Sequence, residues 1–424
     1  MIKDFTPIEL GDYFGFLKSG LSRLLSQQDI GLPVLISGNI KSGRFNFDSL
    51  KYWYLNDPQG ANTNNYILEK GDILLCFINS LEQIGKLAIF NGYERPCIYT
   101  TNLFRIKAKP EFDSYFLYYL LSSQLVQSEI KAITKPAVNQ ASFTTVEFQK
   151  IKVPFINLGK QKKIAKILST VDNVIEQTES AIAKYQAIKQ GLMHDLFTRG
   201  IDVNTGKLRP TPQEAPELYK ESALGLIPKD WEVKRLCEIG EVITGSTPST
   251  KNNKYYDGNI MFISPADISK SKLIKTTVKS ITELGLSVSR QIPKNAICVV
   301  CIGSTIGKIG LTTDLCTTNQ QVNSIIPHES SITDFLFYAS DLFLPKQLSI
   351  EAGLQAVPIV NKSSFEKLVI PSTKKHKEAI FIGNKLNSID QKIQTEQQAL
   401  AKYQQVKAGL LQDLLTGRVE VSVV

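Results

Sequence analysis

The chain has 424 residues, 42% of them hydrophobic and 21% charged, proportions of a globular protein with room for two or three domains. Its 49 Lys+Arg outnumber 40 Asp+Glu, and the formal net charge of +9 favours polyanionic partners through phosphate contacts and counterion release. No apolar run reaches the ~18–20 residues of a membrane span, the first residues lack a signal-peptide pattern, and Cys76, Cys97, Cys237, Cys298, Cys301 and Cys316 follow no disulfide framework, so a cytoplasmic protein is expected.

Residues 1–154 read as a mixed, strand-rich domain. Pro33–Ser37, Asp72–Ile78 and Lys86–Phe90 are short β-favouring runs punctuated by Gly, Asn and Pro. Ser114–Ser128 is long and aromatic enough on one face to be a buried helix, and Pro154 closes the domain. Residues 155–200 read as the first long helix, and from Gln161 to about Thr198 the period changes. Ile164, Leu168, Val171, Ile175, Thr178, Ile182, Tyr185, Lys189, Leu192 and Leu196 alternate at spacings of four and three, with Ile188 available in place of Lys189. Such a 3.5-residue repeat over about five heptads predicts a coiled-coil helix about 57 Å long, which needs a partner to cover its stripe.

The partner lies in the same chain. Lys184–Thr198 (KYQAIKQGLMHDLFT) returns 218 residues later as Lys402–Thr416 (KYQQVKAGLLQDLLT), with nine of fifteen positions identical. Ile382, Leu386, Ile389, Ile393, Glu396, Leu400, Tyr403, Lys407, Leu410 and Leu414 repeat the heptad, with Val406 available for Lys407. Residues 201–223, with three prolines among polar residues, read as a linker. Residues 224–371 form a second strand-rich domain that mirrors the first, 372–418 the second long helix, and 419–424 a tail. Lys70–Leu74, Ser80 and Ile84–Lys86 are echoed by Lys294–Cys298, Ser304 and Ile306–Lys308, and Thr100–Asn102 by Thr317–Asn319. The expected fold is α+β: two mixed α/β, strand-rich domains separated by two long helices that pair as an antiparallel coiled coil, with an internal pseudo-two-fold repeat.

Catalytic signals are weak. Gly303–Lys308 has three residues between its glycines where a phosphate loop has four, and Ile309 stands where Ser or Thr would meet Mg²⁺. Cys298 and Cys301, three apart on an apolar strand, point to opposite faces and read as core thiols rather than half a zinc site. His194, His328 and His376 have no evident nucleophile or carboxylate partner. No catalytic or metal residue is therefore assigned. The polar loop Thr244–Tyr256, with hydroxyls, amides, cations and two aromatics, and the runs Lys18–Arg23 and Lys41–Arg44 suit polynucleotide contact instead.

The ordered motifs resemble the specificity subunit of type I restriction–modification systems. Those carrying the resemblance are Leu224-Gly-Leu-Ile-Pro-Lys-Asp-Trp-Glu-Val233, Thr244-Gly-Ser-Thr-Pro248, Tyr255-Tyr-Asp-Gly258, Ile281-Thr-Glu-Leu-Gly-Leu286, Gly303–Lys308 and Thr318-Asn-Gln320, with Gln161–Ala165 and Gly191–Thr198 in the helix. The first domain departs by lacking the Ile-Pro-x-x-Trp opening, and the family's Pro-Leu-x-Glu-Gln helix start is altered at both Pro154 and Pro371.

The resemblance implies two target recognition domains, each reading half of an interrupted double-stranded DNA site, on a coiled coil that spaces them and docks two methyltransferase subunits. It implies no cofactor in this chain. S-adenosylmethionine, ATP and Mg²⁺ would belong to partner methyltransferase and restriction (motor) subunits. The DNA-facing candidates are Lys18, Arg23, Lys41, Arg44, Ser80 and Lys86 in the first domain, and Ser246, Thr247, Lys251, Lys254, Tyr256, Ser304 and Lys308 in the second. Interface candidates are the apolar and tyrosine heptad positions named above. The alternatives are a single-chain restriction or methylation enzyme and a coiled-coil adaptor.

Overall fold

A computed structural model describes residues 6–137, 140–269, 271–353 and 357–422. They fall into two compact units: Met1–Ser180 with Gln398–Val424, and Ala181–Gln397. The first is built on a four-stranded antiparallel sheet in the order Phe14–Ser19, Leu103–Ala108, Ile73–Cys76, Leu87–Ile89. The run Ile73–Cys76 is buried on both faces. Ile73 and Leu75 enter one apolar cluster and Leu74 and Cys76 another, as the two-residue period of a strand requires.

Helices α1 (Ser114–Ser122) and α2 (Gln124–Ile133) cover the first of these faces with Phe116, Leu117, Leu120, Val126 and Ile130. The expected single helix is broken at Ser123, whose Oγ accepts from the Val126 amide at 3.4 Å and caps a fresh start. A second sheet sets Gly31–Leu35 between Lys51–Tyr54 and a parallel Ile98–Tyr99. Pro7–Glu9 pairs with Lys152–Pro154 and closes the domain on itself.

The second unit repeats the order of the central sheet and of the companion sheet, each with one added edge strand. Gly240–Thr244, Val322–Pro327, Ile297–Val300 and Ile309–Thr312 make the central sheet, to which Leu273–Ile274 adds a parallel edge. Tyr256–Ile263 runs parallel to Cys316–Thr318 in the companion sheet, and Trp231–Arg235 with Val369–Thr373 is the closing pair. One helix, α4 (Thr333–Ala352), replaces the broken α1–α2. The repeat also corrects one echo read from sequence. Leu103 pairs with Cys76 and Val322 with Val300, and Cys76 and Val300 each donate to the carbonyl of the Gly-Lys turn, Lys86 or Lys308. Thr100 therefore corresponds to Asn319, and the Thr-Thr-Asn triplets are two residues out of structural register.

The long helices are α3 (Leu158–Arg199) and α5 (His376–Leu415). Asn157 opens α3, its Oδ1 accepting from the Lys160 amide at 3.0 Å. Both helices stop before a left-handed glycine, Gly200 at φ 67° and Gly417 at φ 69°. In the first unit the start of α3 lies against the end of α5, so Ile164 and Leu168 share a core with Leu410, Leu414 and Leu415. In the second, Leu192, Met193 and Leu196 near the end of α3 share a core with Ala379, Ile382 and Leu386 near the start of α5. The pairing is antiparallel in each unit.

Along the seam Ile164, Leu168, Ile175, Ile182, Leu196, Ile382, Leu386, Ile393 and Leu414 are buried. Val171, Tyr185, Leu192, Ile389, Leu400, Tyr403 and Leu410 are half-buried. Ile188 and Val406 do not substitute for their lysine neighbours. Each is 44% exposed, and Lys189 and Lys407 themselves occupy the seam, because each finds an aspartate there.

Residues 201–223 carry short strands. Ile201–Asp202 pairs with Lys207–Leu208, and Tyr219–Lys220 with Ile227–Pro228. Their anchor is Glu378, fully buried, whose carboxylate accepts from Trp231 Nε1 (3.0 Å), Thr373 Oγ1 (3.0 Å), the Ile201 amide (2.8 Å) and Arg209 Nη2 (3.0 Å). Among the described residues no helix is long and apolar enough to cross a membrane.

Candidate nucleic-acid interface

In each unit a glycine at the end of the first sheet strand packs directly on backbone. A Cβ on Gly20 would stand 2.2 Å from the Tyr99 carbonyl oxygen, and one on Gly245 would stand 2.2 Å from that of Asn319. No larger residue lets the chain lie so close. The next amide makes the same bond in both copies, Leu21 N to Tyr99 O and Ser246 N to Thr318 O, each 2.9 Å. From this shared platform the two loops diverge, as Leu21-Ser22-Arg23 in one unit and Ser246-Thr247-Pro248 in the other.

In the second unit the platform gathers several candidates. Ser246 Oγ accepts from the Arg290 amide at 2.9 Å, and Arg290 Nη1 donates to the Thr244 carbonyl at 2.8 Å. Thr247 Oγ1 donates to Gln320 Oε1 at 2.6 Å, leaving the Gln320 amide nitrogen free to donate. Tyr256 Oη donates to the Pro248 carbonyl at 2.6 Å and closes the loop on itself, and burial raises its phenol pKa. Lys251 and Lys254 stand exposed on that loop. The turn bearing exposed Ser304 and Lys308 is joined through Cys301 N to Gln321 O at 2.8 Å, beside Gln320. Arg290, Gln320 and Gln321 thus belong to the cluster. Arg290 lies 44 residues from Ser246 in the chain, and no spacing in the sequence ties them.

The first-unit candidates divide. Lys18 is exposed beside the Gly20 platform, and its carbonyl accepts from Tyr99 Oη at 3.4 Å. Ser80 and Lys86 are exposed on the turn whose strand joins Asn102 through Phe77 N at 3.2 Å. Arg23 is engaged in a bidentate bond to Asp57, with Nη2 to Oδ2 at 2.6 Å. That bond holds the Asp57 carboxyl down at about 2. Lys41 is exposed, but Arg44 on the same hairpin turns to α3. Its Nη1 meets Glu179 at 3.2 Å and its Nη2 the Asp172 carbonyl at 3.2 Å. Arg44 holds the hairpin to the helix. Among the described residues, Lys18, Lys41, Lys86, Lys251, Lys254 and Lys308 are exposed and make no side-chain hydrogen bond or ion pair, which leaves six free ammonium groups.

Gly303–Lys308 uses its amides internally. Ile306, Gly307 and Lys308 donate to Gly303, Val300 and Thr305, and Gly303 itself donates to Pro358, so the turn has too few free N–H groups to cradle phosphates. Cys298 and Cys301 lie in different apolar clusters, and burial pushes both thiols up to about 12. Among the described residues no group of three or more His, Cys, Asp or Glu is placed to hold a metal ion.

Two units of one topology, each with a polar loop on a shared platform and each joined to half of a paired helix, define a duplicated recognition protein. The family model for the type I restriction modification DNA specificity domain matches residues 8–185 and again 228–405, and the chain belongs to that family. It is 28% identical, over 99% of its length and 94% of the other's, to a Methanocaldococcus jannaschii protein proposed as the type I restriction enzyme MjaX specificity subunit. It is 26% identical to the type I restriction enzyme HindI specificity subunit of Haemophilus influenzae, over 72% of this chain and 77% of that one. Its fold matches the crystal structure of the type I restriction–modification S subunit from M. genitalium with a TM-score of 0.63 at 17% identity, covering 99% of this chain and 97% of that one.

Proposed function

We propose that the chain is the non-catalytic DNA reader of a type I restriction–modification complex. Each unit binds one half of an interrupted double-stranded site, and the paired helices set the distance between halves and dock the methyltransferase subunits. The observation that carries this is the shared platform with divergent loops. A protein that reads two different sequences with one fold needs a constant scaffold and variable side chains, and Gly20 and Gly245 beneath Leu21-Ser22-Arg23 and Ser246-Thr247-Pro248 are that arrangement. Free lysines supply sequence-independent phosphate contacts, while Gln320, Thr247 and Arg290 present amide, hydroxyl and guanidinium groups of the kind that distinguish base edges. S-adenosylmethionine, ATP and Mg²⁺ act on the partner methyltransferase and restriction subunits in this reading, and the complex works in the cytoplasm.

The test is an exchange of residues 1–150 for the first domain of another family member, followed by methylome sequencing of the host. One half of the modified site should change and the other stay as it was. A change in both halves, or in neither, sinks the proposal.

A further inference from the structure

Each unit holds a Tyr–Asp–Lys cluster where its recognition domain meets both long helices, and the second unit adds Asn387, whose Oδ1 accepts from Tyr338 Oη at 2.9 Å. In the first, Tyr119 of α1 donates to Asp172 Oδ2 at 2.7 Å, and Lys407 of α5 meets Asp172 Oδ1 at 2.6 Å with its ammonium 5.8 Å from the Tyr119 ring centre. In the second, Tyr338 of α4 donates to Asp390 Oδ2 at 2.6 Å, and Lys189 of α3 meets Asp390 Oδ1 at 2.7 Å with its ammonium 5.1 Å from the Tyr338 ring centre. Both oxygens of each carboxylate are used, one by a phenol from the recognition domain and one by an ammonium from the opposite helix. Burial, reinforced by the neighbouring aspartate, raises both phenols, which stay protonated as donors. The four charged side chains are 19–25% exposed, within a seam lined mainly by Ile, Leu, Val and Tyr, with Thr178 and Glu396 as its other polar positions.

We propose that these two Tyr–Asp–Lys clusters are register keys, specificity-determining residues that fix the one alignment of the helix pair and hence the separation of the two half-sites. This rests on the reading of the helix pair as the spacer. The apolar seam is a poor judge of register, because both helices carry the same four–three spacing and a slip of one heptad sets apolar positions against apolar positions again. The aspartates are better judges. A slip in one direction sets Asp390 against Leu196 and Asp172 against Leu414, and in the other against Ile182 and Leu400. Either slip strands both carboxylates on apolar side chains, which the native alignment avoids. A single polar position plays this part in simpler coiled coils, at some expense in stability. The phenol adds a second duty, tying each recognition domain to the point at which the register is set.

The test uses the full chain in complex with its methyltransferase subunits, and DNA in which both half-sites are kept while the number of base pairs between them is varied. In one variant the clusters are made apolar by Asp172→Leu, Lys189→Met, Asp390→Leu and Lys407→Met, with Tyr119→Phe and Tyr338→Phe. Such replacement leaves a filled seam that unfolds cooperatively. The preference for the native spacing over its neighbours is expected to be lost, since a polar position of this kind is what specifies register. A folded apolar variant that keeps the parent's spacing preference overturns the proposal.

If that variant does not fold, charge exchange decides. Lys407→Asp alone should lose methylation at the native spacing, and Asp172→Lys together with Lys407→Asp should regain it. Equal losses in both overturn the proposal. A parent chain with no spacing preference overturns the spacer reading, a result distinct from either.

Discussion

At the scale of single residues, the charges that look alike in the sequence have unlike duties. Arg23 and Lys18 sit in the same basic run, yet Lys18 is free and Arg23 is bound to Asp57, 34 residues away. Nothing local announces that partner, so the sequence gives no sign that the Arg23 guanidinium is engaged while the Lys18 ammonium is not. The pair has a pH signature. Asp57 also accepts from the amides of Gln59 (3.0 Å) and Ala61 (3.0 Å), so its charged form organises residues 55–63. Its folded pKa of about 2 lies below the ~3.9 of an unfolded aspartate. The stabilisation is therefore complete above pH ~4 and is lost as pH falls through about 2. Pepsin digestion between pH 4 and 2 should begin cutting near Leu55 only towards the lower end. Arg23→Ala should shift that onset upward within the window, and an unchanged onset would show that the guanidinium does not hold the loop.

At the scale of elements, the heptads were legible and the platform was not. A 3.5-residue period declares a long helix whatever its surroundings, but it could not say whether Lys189 or Ile188 faces inward. That choice belongs to Asp390, on the other helix. The echoes between domains located the Gly-Lys turns, yet the Thr-Thr-Asn triplets misaligned by two because strand pairing, not letter identity, sets correspondence. Gly245 shows what this hides. It reads as a flexible loop residue, but its role is proximity: an alanine Cβ would sit 2.1 Å from Thr318 Oγ1 and 2.2 Å from the Asn319 carbonyl. Since backbone yields little, Gly245→Ala should lift the whole 245–256 loop while leaving the sheet intact. On the proposed function this alters only the half-site read by the second unit. Methylome sequencing of the variant should show that half weakened or relaxed and the other unchanged, while far-ultraviolet circular dichroism stays as in the parent. A variant with both halves intact would remove the loop from the reading surface.

At the scale of the whole molecule, the chain is duplicated in sequence, but its compact units do not coincide with the duplicated halves. The linear plan of globule, helix, globule, helix is visible in the repeat at 218 residues. What it conceals is that the first compact unit takes in Gln398–Val424 from the far end of the chain. Leu414, Leu415 and Val421 are 5%, 1% and 7% exposed and belong to the same core as Leu10, Phe116 and Phe148. Lys160 meets Glu420 at 3.2 Å, and Lys163 donates to the Ser422 carbonyl at 2.6 Å. A chain ending at residue 397 keeps every residue of the first recognition domain but uncovers Ile164 and Leu168. Burying a leucine contributes about 1.5–3 kcal/mol, so losing these side chains removes on the order of 5 kcal/mol, comparable with the whole stability of many domains. The second unit, Ala181–Gln397, retains both its helix segments. Thermal unfolding of the 1–397 chain should therefore lose or sharply lower the transition of the first unit while that of the second persists. Tryptophan supplies the assignment, since Trp53 lies in the first unit and Trp231 in the second, and each can be replaced by Phe in turn. Two unshifted transitions would mean that the recognition domain folds without the distant helix, and that the last 27 residues serve only the pairing.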